Sequence, residues 1–453
     1  MSKNVIWWIG VKNPDLSEKY DGFGYYEYSK KTWQHFCKRF DCEFVEFSEP
    51  VEKDMFKFRI NWQKAIFVFD ELERRNIDYD QICLVDAALM YKWNGPNFFE
   101  LTENKFTGWH DRDNMRWIRE SIDGYKEFFD NYELDQSKYI SSGFIIFNKQ
   151  HRDFFKSFQK LYYDNVDTFV ELQDKIVRKG TEQTPLNYWL QKNDIDVKTD
   201  LPLMFKLTHM HRKELYGYNW QLDEDKTPFF IKYGYNWIFN GIPKDQRGDI
   251  MKQTWDLVKH NYDKTHEEIV LEEVLHKDTA KYTTSRKFKS DLFKIFSDKK
   301  YKKMSLLELG CCRGMTTRVY SELFEKVYGY DNSKENILAA KDVCINNYNI
   351  DFHIKDVYEN EWDFPITDVV VIDAAHDYDS VSFDIDRVMK HNPNATLILD
   401  DHGNPNQEIK KIIEDKVKEY NLKIDKFIGE DSGFKCANGL VFNDREGVVI
   451  NLK

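Results

Sequence analysis

The sequence has 453 residues, 41% hydrophobic and 32% charged; that length and mix predict two or three packed domains and exclude an intrinsically disordered chain. The net charge of −12 excludes a protein that coats nucleic acid, which needs a basic face. No apolar run is long enough to span a bilayer, and the seven scattered cysteines include no C-x-x-C pair, which argues against a zinc or disulfide framework and for a reducing cytoplasm.

In chain order, "NVIWWIGV" (4–11) reads as a buried first strand. Its apolar core is too short for a signal peptide, and no small-residue cleavage site follows. Residues 25–40 have helical spacing, "CEFVEF" (42–47) is a strand, residues 62–76 are helical, and "QICLVDAAL" (81–89) is a buried strand. Later come a strand in "KYISSGFIIFNK" (138–149) and a helix in "TEQTPLNYWLQKN" (181–193), with Thr181 as its expected N-cap. Such alternation predicts an α/β domain with a largely parallel sheet over 1–262.

Asp86 closes the buried strand of residues 81–89. Arg59 and Lys64 precede it, Ser141-Ser142-Gly143 and Glu182-Gln183 follow, and a late Asn-Gly stands in "WIFNGIPKDQR". In this order the pieces resemble a GT-A glycosyltransferase. The resemblance implies a nucleotide-sugar donor, UDP- or GDP-linked, and a glycan or sugar acceptor. It implies Arg59 and Lys64 as phosphate or base contacts, and Asp86 as a ligand of a divalent ion, Mg or Mn. The Ser-Ser-Gly strand would lie beside the donor sugar, Glu182 and Gln183 would face the sugar on the acceptor side, and the Asn-Gly segment would close on the diphosphate. Ala88 stands where the family has its second acid, and only His209 and His211 offer a substitute for its late metal-binding histidine. Three readings follow: a reduced metal site, a metal-free site in which Arg59, Lys64, Lys206 or Arg212 neutralises the diphosphate, or a sugar-binding module without turnover.

Residues 263–303 are charged and helical, and read as a helical linker, with one or two solvated helices, that runs into the N-terminal helices of the next domain. A second αβ series begins at Met304: "MSLLELG", "KVYGYD", "NIDFHIKD", "DVVVIDAA" and "ATLILDD", then "GLVFN" and "GVVINLK". In "ELGCCRG", Gly310 and Gly314 allow a tight turn into a helix N-terminus, Glu308 closes the strand, and Cys312 stands between the glycines. Asp331 closes the next strand, where an acid takes ribose hydroxyls, and Asp356 lies where an adenine amino group would sit. Residues 280–453 thus resemble a class I S-adenosylmethionine-dependent methyltransferase, with a Rossmann-like fold over 304–453.

Three further acids end adjacent strands: Asp373, with His376 three residues on, and the pair Asp400-Asp401. Carboxylates so placed repel unless protonated or met by a cation, and hard oxygen ligands suit Mg²⁺. The pattern resembles the metal-dependent sugar O-methyltransferases of the macrocin type. That resemblance implies Asp373, Asp400 and Asp401 as ligands and His376 as base, with His402 as a competing candidate. Together the two halves imply a cytoplasmic, bifunctional, glycan-modifying enzyme without a nucleic-acid partner; the alternative is a methyltransferase carrying a non-catalytic sugar-binding domain.

Overall fold

The computed structural model describes residues 3–13, 22–112, 114–176, 181–206, 227–276, 283–359, 362–406, 408–436 and 439–452. His209, His211 and Arg212 lie outside the described residues. No helix among the described residues is long and apolar enough to cross a membrane. The chain divides into two compact units, Met1–Asp263 and Lys264–Lys453.

Unit 1 contains β1 (Lys3–Ile9), β2 (Glu43–Phe47), β3 (Tyr79–Asp86), β4 (Leu89–Tyr91), β5 (Phe106–His110), β6 (Ile140–Asn148), β7 (Val197–Lys198) and β8 (Asn236–Ile238). Six of them form one sheet in the order β2-β1-β3-β6-β5-β7. Strands β1, β2 and β3 are parallel, but β6 runs antiparallel to both β3 and β5. The sheet is therefore mixed, not largely parallel. Both faces are covered: Val5, Trp7 and Ile9 enter one core, and Ile6 and Trp8 the other. Burial on both faces is why these strands read as unbroken apolar runs.

The helix expected over 62–76 is two, Ile60–Ile66 and Val68–Arg74, broken at Phe67. The Trp7 indole N–H donates to the Lys64 carbonyl at 3.0 Å. A side-chain donor on that carbonyl competes with the helical ladder and accounts for the break. It also fixes the turn that carries Lys64. Beyond Asp86 the chain enters β4, which pairs with β8 in a two-stranded antiparallel ribbon. Phe239 N–H donates to the Ala88 carbonyl at 2.8 Å, and this contact brings Asn240 back to the tip of β3.

Unit 2 contains β9 (Ser305–Leu309), β10 (Lys326–Asp331), β11 (Ile350–Ile354), β12 (Val369–Ile372), β13 (Thr396–Leu399), β14 (Ile424–Ile428) and β15 (Gly447–Asn451). The sheet order is β11-β10-β9-β12-β13-β15-β14; the first five are parallel, and β15 is antiparallel to both its neighbours. The order reverses at β9, between β10 and β12, the switch point at which doubly wound sheets bind ligands. The "GLVFN" segment contributes only an isolated Lys435–Val441 bridge, and the strand that pairs with β15 is "IDKFI". The helix Arg286–Phe296 buries Phe288, Leu292, Phe293 and Phe296 in the unit 2 core. At roughly 1.5–3 kcal/mol for each such side chain, this helix belongs to the domain and is not a solvated linker.

Candidate functional sites

In unit 1, Lys64 is the centre of a buried charge cluster. Its Nζ lies 2.8 Å from Asp86 Oδ1 and 2.9 Å from Glu182 Oε1, and it donates to the Ser142 carbonyl at 3.3 Å. Burial pulls the Lys64 ammonium down, but the Asp86 and Glu182 carboxylates outweigh it and hold the group above its ordinary value. Burial likewise pushes Glu182 up, and Lys64 reverses the sign, holding it charged. The other Asp86 oxygen accepts from Asn240 Nδ2 at 3.2 Å. Gly143 stands beside Asp86; a Cβ there would lie 3.1 Å from Oδ2.

Two of the expected roles change. Glu182 is only 1% exposed and accepts from the Ser142 hydroxyl at 2.7 Å, so it supports Lys64 and the Ser-Ser-Gly strand from the wall of a cavity. It is also the residue at the start of the helix Gln183–Lys192, in place of Thr181, which donates to the Glu182 carboxylate at 2.5 Å. Asp86 is held by two nitrogen donors and, with Ala88 buried beside it, does not fit a divalent ion. Arg59 pairs with Asp174. Gln183 accepts from Ser142 N–H at 3.1 Å and donates to Asp111 at 2.9 Å.

Two cavities meet at this cluster. The larger, about 720 Å³, is lined by Phe23, Tyr25, Arg59, Lys64, Asp86 and Arg247 among others. The smaller, about 390 Å³, includes Asp111, Trp117, Ser142, Glu182 and Gln183, and shares Lys64, Asp86 and Asn240 with the first. Asp111 escaped the sequence reading, although it directly follows the strand "FTGWH" and repeats the strand-tip acid signal in a shorter run.

In unit 2, register assembles the site. Tyr330 pairs with Leu309, Leu309 with Ile372, and Ile372 with Leu399. The next residues along, Asp331, Gly310, Asp373 and Asp400, therefore stand in one row at the carboxyl edge of the sheet. Gly310 has φ +92°, and a Cβ on it would come within 2.1 Å of the Asp373 carbonyl oxygen. Cys312 takes φ +45° where a side chain is uncommon, and its N–H donates to Asp331 at 3.0 Å. Asp331 also accepts from Ser333 N–H at 2.8 Å and Asn336 at 3.1 Å. Gly314 has φ +76° at the N-terminus of the helix Met315–Leu323. Asp356, exposed just past β11, accepts from Tyr358 N–H at 2.9 Å. Gly310→Ala should destabilise unit 2 by about 2–4 kcal/mol, read as a lowered melting transition of that unit.

Glu308 is 2% exposed and accepts from the Thr317 hydroxyl at 2.6 Å; it anchors the helix behind the turn. Burial pushes its carboxyl from 4.5 up to about 8, partly offset by the Thr317 bond. The folded chain thus holds a proton that the unfolded chain releases. Stability is full below the unfolded value and falls as pH rises toward 8, by roughly 3 kcal/mol at pH 7. Glu308→Gln should remove that share of the slope and raise the melting temperature at pH 7–8, while leaving it unchanged near pH 4.

Asp373 and Asp400 are both pushed well above the ordinary carboxylate range, first by burial, then Asp373 by Asp401 and Glu308, and Asp400 by Asp373 and Asp401. His376 Nδ1 lies 3.1 Å from Asp401 Oδ2. With Nδ1–H donated to Asp401, Nε2 keeps its lone pair. His402 is 2% exposed, with Nδ1 on the Arg445 carbonyl at 3.2 Å, which removes it as a competitor. Glu446 and Lys289 also reach the acids electrostatically. Glu446 is buried and caps the helix Arg286–Phe296 through Ser285. Neither was legible, because both come from segments outside the strand-tip pattern. Among the described residues no three His, Cys, Asp or Glu side chains converge on one metal-binding point as they stand. The donor set nevertheless fits a hard cation: three carboxylates at adjacent tips, with Asp400 Oδ1 buried and without a hydrogen-bond partner.

Unit 1 is an α/β unit with a mixed six-stranded sheet, and unit 2 is an α/β unit with a doubly wound seven-stranded sheet. No family model and no curated protein matches the chain. Among solved structures, it is similar to a glycosyltransferase involved in the glycosylation of the major capsid of PBCV-1, at 10% identity over 55% of this chain and 99% of that one, TM-score 0.32. It is similar to an S-adenosylmethionine-dependent O-methyltransferase from Thermotoga maritima, at 14% identity over 40% and 74% of the two chains, TM-score 0.30. It is also similar to a tRNA (m1A58) methyltransferase from Aquifex aeolicus, at 18% identity over 40% and 74%, TM-score 0.31.

Proposed function

We propose that this chain is a two-site, glycan-modifying enzyme. Unit 1 transfers a sugar from a nucleotide-linked donor to a glycan acceptor, and unit 2 transfers a methyl group from S-adenosylmethionine to a sugar hydroxyl. The observation that carries the reading is the single row of Asp331, Gly310, Asp373 and Asp400, with His376 on Asp401 beside it. One end of that row offers a turn and an acid suited to a nucleoside cofactor. The other end offers carboxylates suited to a divalent ion, and a base.

Asp373, Asp400 and Asp401 would hold the ion, which when bound lowers the pKa of a vicinal hydroxyl. His376 Nε2 takes the proton from the hydroxyl oxygen that attacks the methyl carbon. Asp401 orients the ring through its contact with Nδ1. Ala374 and Ala375, small and half-buried, leave space for a sugar next to the acids.

The test is incubation of the full chain with labelled S-adenosylmethionine, a nucleotide-sugar panel and oligosaccharide acceptors, read by mass spectrometry. Sugar addition followed by methyl addition is the expected result. Failure to methylate any glycan, with or without Mg²⁺, would sink the methyltransferase half. If acceptors lacking the unit 1 sugar are methylated equally well, the two activities are not sequential. Ala88 favours a second reading, in which unit 1 binds sugars without turnover; retained sugar binding with no transfer from any donor would select it.

A further inference from the structure

In unit 2, the segment that follows β11 is gripped by one face of a single helix. Ile354 of β11 pairs with Asp331, so Asp356 stands two residues further along the same carboxyl edge. The helix Tyr378–His391 carries Asp384, Arg387 and His391 at spacings of three and four, which places them on one face. Each meets the segment. The Tyr358 hydroxyl donates to Asp384 Oδ2 at 3.0 Å. The Arg387 guanidinium donates to the Val357 carbonyl and lies over the rings of Trp362 and Phe364, 5.3 and 5.8 Å from their centroids. His391 stacks on Trp362 at 5.5 Å, with 4° between the ring planes. Asp384 is 0% exposed and Arg387 9%. Charged side chains are buried this far only with polar partners, and here the segment supplies them.

The same helix starts at the acid end of the site. Its N-cap, Asp377, accepts from Ser380 N–H at 3.0 Å and directly follows His376. The segment is fixed at a second point, where Phe364 meets the Tyr330 ring edge-on at 4.8 Å and 87°, and Tyr330 directly precedes Asp331. Asp331, Asp356 and His376 therefore belong to one frame, in which the face of Asp384 and Arg387 is the strut between the segment and the helix that follows the base. A segment that orders itself only when a ligand arrives subtracts that entropy from the affinity, and a clamped one does not.

We infer that Asp384 and Arg387 are positioning residues for the nucleoside of the methyl donor: they hold the Asp356 segment in place before the cofactor arrives. This rests on the methyltransferase reading proposed above. The test is titration calorimetry of S-adenosylhomocysteine on the full chain. Arg387→Met should weaken binding about tenfold, and Tyr358→Phe, which keeps the ring and loses only the bond to Asp384, about threefold. In methyl transfer the same losses should fall on KM for S-adenosylmethionine, with kcat at saturation kept. Tyr420→Phe is the matched control. It removes a tyrosine–aspartate bond of 2.7 Å, to Asp386, from the same helix, and should leave the affinity unchanged. If Arg387→Met does not fold, Tyr358→Phe against Tyr420→Phe decides alone. Unchanged affinity in Tyr358→Phe or in folded Arg387→Met, or an equal loss in Tyr420→Phe, overturns the inference and leaves the methyltransferase reading in place. If the unaltered chain does not bind S-adenosylhomocysteine, that reading falls and takes this one with it.

Discussion

Asp373→Asn is expected to reduce methyl transfer by about 10²–10⁴-fold, while sugar transfer and nucleotide binding by unit 1 remain as they were. The amide keeps the shape of the β12 tip but not its charge, and it cannot serve as an anionic oxygen ligand. A merely structural aspartate would lose stability in the same exchange. Here the sign is opposite. Asp373 is held above its ordinary range by burial and then by Asp401 and Glu308, and it in turn raises Asp400. Removing its charge should raise the stability of metal-free unit 2 by on the order of 1 kcal/mol, a few degrees in melting temperature. Activity lost with stability gained marks a functional carboxylate. Full methylation by the variant, or a lower melting temperature, would refute the assignment.

Lys64→Met should lower the stability of unit 1 by about 3–5 kcal/mol. Methionine matches the length of the lysine stem, so packing is nearly kept and the loss is electrostatic. Glu182, 1% exposed, is left charged and unpaired. The double change Lys64→Met with Glu182→Gln removes both partners and should recover roughly half of the loss. Denaturant melts of the full chain, followed at the unit 1 transition, measure both variants. Equal stability of the single and double variants would show that the pair is not coupled.

Much of this architecture was legible in the sequence because the chemistry sits at the ends of apolar runs. Both Asp-Ala-Ala phrases fall at strand tips: Asp86 ends β3, and Asp373 follows β12 directly. Gly310 and Gly314 were legible because only glycine tolerates those backbone angles against close neighbours. What escaped was set by pairing across long separations. The orientation of "ISSGFIIFN" cannot be read from a strand buried on both faces, since no polar side marks its register. "IDKFI" was missed because its middle is exposed and its partner lies beyond a long loop, whereas "GLVFN" has strand composition but pairs only locally, with residues 433–436, outside the main sheet. The Glu182 role depended on Lys64, 118 residues away by numbering. Nothing local to "TEQTPLNYWL" distinguishes a glutamate facing a sugar from one supporting a lysine.

The contact between Gly310 and the Asp373 carbonyl has a mechanical consequence. No gap separates the turn that would receive the cofactor from the tip that carries the acids, since even one added carbon would lie 2.1 Å from that oxygen. The contact is between backbones, so no side chain can swing aside to absorb a displacement. A cofactor that settles the turn therefore also sets the height of the acids. In the function proposed for unit 2, the cofactor turn and the acid-bearing tip would be joined by direct backbone contact, with no intervening side chain.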